Sequence, residues 1–219
     1  MVMRWGQRWS DGARRAFLAL VAPAYCAACD VPVHEGETFC EACGACPPAP
    51  ASVALGATVG GAYAPPLSTA IRRLKFGQRT DLAGRLSALL PSVMAPAGSL
   101  VVPVPLHLTR LVERGYNPPG LLGARWCRRL GLEHAPGLLS RWRDTPHQSH
   151  LPAPERARNV EGAFIAHASA AGRHAILLDD VVTTGATLDA CRHALYAAGV
   201  VHVTVVALAA TPLVESSRG

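Results

Sequence analysis

The stretch Ile176-Leu177-Leu178-Asp179-Asp180-Val181-Val182-Thr183-Thr184-Gly185-Ala186-Thr187 decides how the chain is read. It opens as an apolar run of the kind that forms a buried strand, and two adjacent carboxylates follow directly. A strand that carries acids to the carboxyl edge of an α/β sheet puts them where open sheets of that class bind ligands. Successive strand residues point to opposite faces, so Asp179 and Asp180 have different tasks unless the backbone turns between them. Beyond them three hydroxyls, Thr183, Thr184 and Thr187, surround Gly185 where a helix opens. Backbone N–H groups at a helix start, hydroxyl donors and the positive end of the helix dipole together suit a phosphate monoester. A carboxylate pair beside that phosphate suits sugar hydroxyls or a magnesium ion. Helix capping accounts for one Asp or one Thr, not for the whole ordered series.

Outward from this stretch the pattern alternates. A helix is expected over 187–198, stopped by Gly199, then a final buried strand over 200–208. Upstream, short strands are expected over 59–63 and 100–104, with helices over 68–76, 81–93 and 121–130, the last ended by Gly131. The polar segment 140–162 contains His147, Gln148, His150, Pro152 and Pro154 and reads as an irregular excursion. Strand and helix in alternation predict an α/β fold, a mostly parallel sheet flanked by helices.

The chain has 219 residues, of which 50% are hydrophobic and 16% charged. That composition excludes a disordered chain, and no uninterrupted apolar run is long enough for a membrane span. The formal charge of +6 favours anionic partners such as phosphorylated small molecules, nucleic acid or a membrane surface. Lys75 is the one lysine among 21 basic residues. Residues 1–25 read as an amphipathic helix with Trp5, Trp9, Ala13, Ala16, Phe17 and Leu20 at spacings of three and four. Arg14-Arg15-Ala16-Phe17-Leu18 also resembles the start of an export signal, but its apolar stretch is short and ends at Pro23. A cytoplasmic protein is therefore expected.

Five of the 7 cysteines fall between Cys26 and Cys46. Cys26-x2-Cys29 and Cys40-x2-Cys43 have the paired-knuckle spacing that turns four thiolates onto one ion, and a closed tetrahedral shell makes a structural zinc site. Cys46 could replace Cys43, and His34 is a weaker alternative ligand. Disulfides would require an oxidising compartment. The run Pro47-Pro48-Ala49-Pro50-Ala51-Ser52 reads as a linker, which divides the chain into 1–25, a cysteine module with linker over 26–52, and a main domain over 53–219.

The 176–187 stretch resembles the phosphoribosyl-pyrophosphate (PRPP) motif of type I phosphoribosyltransferases. That resemblance implies 5′-phosphate binding by Thr183, Thr184, Gly185, Ala186 and Thr187. It implies that Asp179 and Asp180 form the catalytic acid pair that holds the ribose hydroxyls. Further residues narrow the likeness: Val102-Pro103-Val104-Pro105-Leu106, Arg114-Gly115-Tyr116-Asn117, and Arg143-Asp144-Thr145-Pro146 with Gln148, Arg156, Asn159-Val160 and Phe164. Together with Lys75 in Arg73-Leu74-Lys75-Phe76-Gly77, they are similar to the ComF family, whose members are named for competence, the uptake of DNA. Such proteins often begin with a cysteine-rich zinc module.

The resemblance implies a phosphoribosyltransferase-like fold, a magnesium–PRPP ligand and an unidentified nitrogenous acceptor. Pyrophosphate binding would fall to Val104, Pro105, Leu106, Arg114 and Lys75, with Arg110 a further candidate. Two alternatives stand beside transfer: a PRPP-binding regulator without turnover, and an accessory protein that handles single-stranded DNA or a DNA-uptake helicase. Pro118-Pro119 departs from the family pattern, as does the proline-rich 151–156 segment. Both are expected where a mobile catalytic loop or substrate hood would lie, so binding is better supported than turnover.

Overall fold

The computed structural model describes residues 24–51, 53–143, 160 and 162–212. Two short strands, β1 (Ala24–Tyr25) and β2 (Pro32–Val33), pair antiparallel and carry the first cysteine knuckle between them. The main sheet holds β3 (Thr58–Ala62), β4 (Leu100–Pro103), β5 (Glu133–His134), β8 (His174–Val182) and β9 (His202–Ala210). Its order is β3-β9-β8-β4-β5, and every neighbouring pair is parallel. A separate hairpin joins β6 (Leu139–Arg141) to β7 (Phe164–Ala166). The helices are α1 (Leu67–Phe76), α2 (Ala83–Ala88), α3 (Leu108–Arg114), α4 (Pro118–Leu130) and α5 (Ala186–Ala197). The α/β class and the mostly parallel sheet expected from the sequence are what the structure shows.

Both faces of the sheet are covered, as parallel sheets require. Ala175 and Leu177 of β8 pack in one buried cluster with Leu188, Cys191 and Leu195 of α5 and Phe164 of β7. Ile176 and Leu178 pack in the other with Leu67, Ile71 and Leu74 of α1, Leu86 of α2, and Leu122 and Trp126 of α4. This alternation over 175–178 assigns each of those residues to a layer. Each fully buried leucine contributes about 1.5–3 kcal/mol.

Helix α1 forms because Leu67, Ala70, Ile71 and Leu74 are buried at positions that line one helical face. Helix α4 begins three residues earlier than the sequence pattern implies, with Pro118 and Pro119 in its first turn. There the missing N–H groups would have no intrahelical partner in any case, and the ring fixes φ at a helical value. The proline pair therefore starts a packed helix and does not stiffen a catalytic loop. The helix expected over 81–93 is a 3-10 turn at Thr80–Leu82 followed by α2, which ends at Ala88 ahead of Pro91. Strand β8 runs past Leu178 to Val182, because β9 continues alongside it to Ala210. Residues 1–23 of the expected N-terminal helix lie outside the described residues, while Ala24 and Tyr25 belong to a strand. The excursion is described only at 140–143, 160 and 162, and its near end belongs to β6.

The run expected as a linker lies against the sheet. The N–H of Ala62 in edge strand β3 donates to the carbonyls of Pro47 (3.2 Å) and Pro48 (3.0 Å). A Cβ at Gly61 would stand 2.5 Å from the Pro47 oxygen, and one at Gly60 only 2.2 Å from the Leu89 carbonyl oxygen. Gly60→Ala should therefore lower the unfolding midpoint through overpacking, by about 1–3 kcal/mol. Gly84→Ala, in α2 with nothing within 4 Å of the added atom, should leave it unchanged or raise it by up to about 1 kcal/mol. Chemical denaturation of the two variants checks the contrast.

Candidate functional site

Strand β8 places Asp179 half-buried and Asp180 buried at its carboxyl end. The strand stays extended through both, so they face different layers. Asp180 faces α1, where its Oδ1 lies 2.7 Å from Nζ of Lys75. The Asp179 Oδ1 accepts a hydrogen bond from the Asp180 N–H at 2.8 Å. Burial, and then the neighbouring charge of Asp180, push the Asp179 carboxyl up to about 7, although Lys75 pulls the other way. Burial acts to lower the Lys75 value, but the carboxylate of Asp180 outweighs it and the net shift is upward. Lys75 thus stays an ammonium while Asp179 shares its proton near neutrality.

After Val182 the chain leaves the sheet, exposes Thr183 and Thr184, and turns into α5 at Gly185. Gly185 has φ +80, a left-handed conformation that favours glycine. A Cβ there would stand 2.9 Å from Cβ of Ala54. Glycine is required on both counts. The first N–H groups of α5 lack intrahelical acceptors and open toward the same space as the two hydroxyls.

A cavity of about 280 Å³ lies beside this turn. Every non-cysteine site residue expected from the sequence lines it: the acid pair, residues 183–187, the 104–106 turn, Arg114 and Lys75. Arg110 lines it too. The Arg114-Gly115-Tyr116-Asn117 motif holds these pieces together. Gly115, with φ +79, ends α3 by donating its N–H to the Leu111 carbonyl at 2.8 Å. The Tyr116 hydroxyl donates to the Leu74 carbonyl, next to Lys75, and Asn117 Nδ2 donates to the Val104 carbonyl at 3.0 Å. The Arg114 guanidinium stacks 5.2 Å from the ring centre of Phe76.

Arg141 was missed in the sequence. It ends β6, is only 9% exposed, lies 5.5 Å from the Phe164 ring centre and lines the cavity. Its surroundings in sequence read as an irregular excursion, and only the hairpin with β7 turns it inward. Phe76 also lines the cavity while 71% exposed, beside the lysine that drew attention in its place.

The four cysteines Cys26, Cys29, Cys40 and Cys43 bring their Sγ atoms within 4.8 Å of one another. Tetrahedral zinc–thiolate bonds of about 2.3 Å place sulfurs about 3.8 Å apart, so this cluster could hold one zinc ion. Cys46 is outside the group: its Sγ approaches the Pro47 carbonyl at 3.8 Å. No cysteine is in a disulfide. Burial opposes the Cys26 thiolate, but backbone hydrogen bonds from Cys40, Ala28 and Cys29 bring it down to about 6. The module is tied to α1 and its neighbours. Arg73 donates to the Ala27 carbonyl at 3.1 Å and pairs with Asp30, and Arg79 joins the same carboxylate at 2.6 Å.

The acid pair by itself offers too few oxygens to hold a divalent ion without oxygens from a ligand. Among the described residues the four cysteines are the one group of three or more ligating side chains. The acid pair supplies two carboxylates, of which Asp180 already holds an ammonium. Among the described residues no helix is long and apolar enough to cross a membrane.

Metal analysis of the purified chain should find a single zinc ion per molecule, and Cys29→Ser should lose it and lower the unfolding temperature. Retention of a full equivalent by that variant would contradict the cluster. The raised Asp179 value also sets a pH dependence. Between its ordinary value and about 7, the folded chain holds a proton that the unfolded chain has released. Stability therefore falls as pH rises through that window. The unfolding midpoint should be higher near about pH 5 than near about pH 8, and Asp179→Asn should flatten the difference.

No family model matches the chain. Among curated proteins, the DNA utilization protein YhgH of Escherichia coli K12 is 34% identical over 194 residues, covering 85% of this chain and 84% of that protein. The protein of the same name from Salmonella typhimurium is 32% identical over 213 residues, covering 89% and 93%. Competence protein F of Haemophilus influenzae is 32% identical over 160 residues, covering 68% and 70%. With relatives so named matching over most of its length, the chain belongs to the ComF family.

Proposed function

We propose that the chain binds PRPP in the cavity beside β8 and transfers its phosphoribosyl group to a nitrogenous acceptor. The observation that carries this reading is the convergence of three separate sequence stretches on one cavity of about 280 Å³. The 183–187 turn offers amides and hydroxyls to the 5′-phosphate. Asp179 and Asp180 accept hydrogen bonds from the ribose hydroxyls. The 104–106 turn and Arg114 take the pyrophosphate, with a guanidinium geometry that matches phosphate oxygens in pairs.

In transfer, the bond from C1 to the pyrophosphate oxygen breaks with its electron pair leaving on oxygen, the acceptor nitrogen forms the new bond to C1, and its proton passes to the departing pyrophosphate or to water. The ring passes through oxocarbenium character, as in glycoside chemistry. Cations already fixed at the pyrophosphate end stabilise the charge that grows there, without reorganisation at the moment of reaction.

The relatives are named for the utilization of DNA and for competence. On that ground we place the activity in the uptake or use of DNA, with single-stranded DNA or a DNA-uptake helicase as the macromolecular partner. The formal charge of +6 suits such a partner. Free thiols arranged for zinc suit the cytoplasm.

Calorimetric titration of the full chain with PRPP is expected to give saturable binding. Asp180→Asn should weaken it by about tenfold or more, about 1.4 kcal/mol. Thr184→Val should weaken both PRPP and ribose 5-phosphate. Release of pyrophosphate with a panel of nitrogenous bases then tests transfer. Tight binding with no release from any base leaves the binding reading and removes the transferase one; absence of binding both with and without magnesium removes both.

A further inference from the structure

We propose that the cation serving the acid pair is the protein's own Lys75, so that the cavity takes its phosphorylated sugar without a divalent metal ion. This rests on the reading of the cavity as a PRPP site and departs from the magnesium that the family resemblance implies.

The contact is built on both sides from rigid elements. Asp180 sits in β8, between β4 and β9 at the centre of the sheet. Lys75 is the penultimate residue of α1, whose Leu67, Ala70, Ile71 and Leu74 are all buried. The helix end is held by the Tyr116 hydroxyl on the Leu74 carbonyl and by the Gly77 N–H on the Arg73 carbonyl at 2.9 Å. Nζ and Oδ1 meet at 2.7 Å with the side chains only 22% and 8% exposed. A charge pair so desolvated is costly to break, because either partner alone would be an uncompensated buried ion.

A magnesium ion bound through Oδ1 of Asp180 would compete with that ammonium. Magnesium demands a near-octahedral set of oxygens and gives up its waters reluctantly. The acid pair offers it poor terms: one carboxylate is occupied, and the other retains a proton for part of the time near neutrality. An ammonium carries three donors. With one on Asp180, Lys75 has donors to direct at the pyrophosphate oxygens, since it lines the same cavity as the 104–106 turn and Arg114. It joins carboxylate to pyrophosphate as a bridging metal ion would. It is also the one lysine of a chain otherwise supplied with arginine. A compact, rotatable point charge suits this position better than a planar fork.

The test is PRPP binding to the zinc-loaded full chain, in buffer freed of divalent ions by resin before the protein is added, and again with magnesium in excess. Zinc content is checked in both, since a soluble chelator would strip the cysteine cluster. The expected result is a dissociation constant that differs by less than about threefold between the two conditions. Lys75→Met should weaken binding by about tenfold or more without magnesium and recover part of it when magnesium is added. Lys75→Arg keeps the charge and should lose less. Wild-type binding that needs magnesium by more than about tenfold overturns the inference and leaves the PRPP reading standing. No binding in either condition removes the PRPP reading itself. The wild-type comparison decides the matter even if Lys75→Met fails to fold.

Discussion

A carboxylate at the end of a central, doubly covered strand has lost most of its water, and something must replace that solvation before the strand can stay extended through it. In this chain the ammonium of Lys75 does so for Asp180 at 2.7 Å. Much of the surrounding structure follows from holding those two atoms together. Helix α1 must end at the level of the acid pair, so its apolar face is locked into the core. The Tyr116 hydroxyl fixes the carbonyl beside Lys75, while Asn117 fixes the turn after β4. One four-residue motif thereby sets both walls of the cavity. Burial and the neighbouring charge of Asp180 raise the Asp179 carboxyl to about 7. The pleat sends the two adjacent acids to different neighbours.

The cysteine module enters this arrangement through the same helix. Ala27, inside the first knuckle, is fully buried in the cluster that contains Leu67, Ile71 and Leu74. Arg73 reaches back to the knuckle's carbonyl and to Asp30, and Arg85 donates to the Tyr25 carbonyl. Exposed ion pairs of this kind contribute little on their own. Their value here is geometric, because they set the module at one position along α1.

The fold was legible where periodicity and burial agree. The apolar runs at 176–178 and 100–102 are strands buried on two faces, and the final strand, expected over 200–208 and found at His202–Ala210, follows the same logic. The cavity was legible because the acid pair and threonine turn form an order that capping does not explain. Several features were not. Helix α3 is short, with Leu108 and Val112 exposed, so it has no apolar stripe to detect. Pro118 and Pro119 look like an interruption until their place in a first turn is known. Arg141 owes its place at the cavity to a hairpin whose two strands are far apart in sequence. The pairing of Lys75 with Asp180 joins residues nearly half the chain apart, and no local pattern encodes it.

The proline-rich run beside β3 has an effect on association. A parallel sheet ends in two rows of backbone groups that can recruit a strand from another polypeptide. Here one border has the Ala62 N–H capped by the Pro47 and Pro48 carbonyls, and the Pro47 oxygen is so near that Gly61 admits no side chain. The other border, β5, is two residues long. Recognition by strand addition is thereby disfavoured at both borders of the sheet.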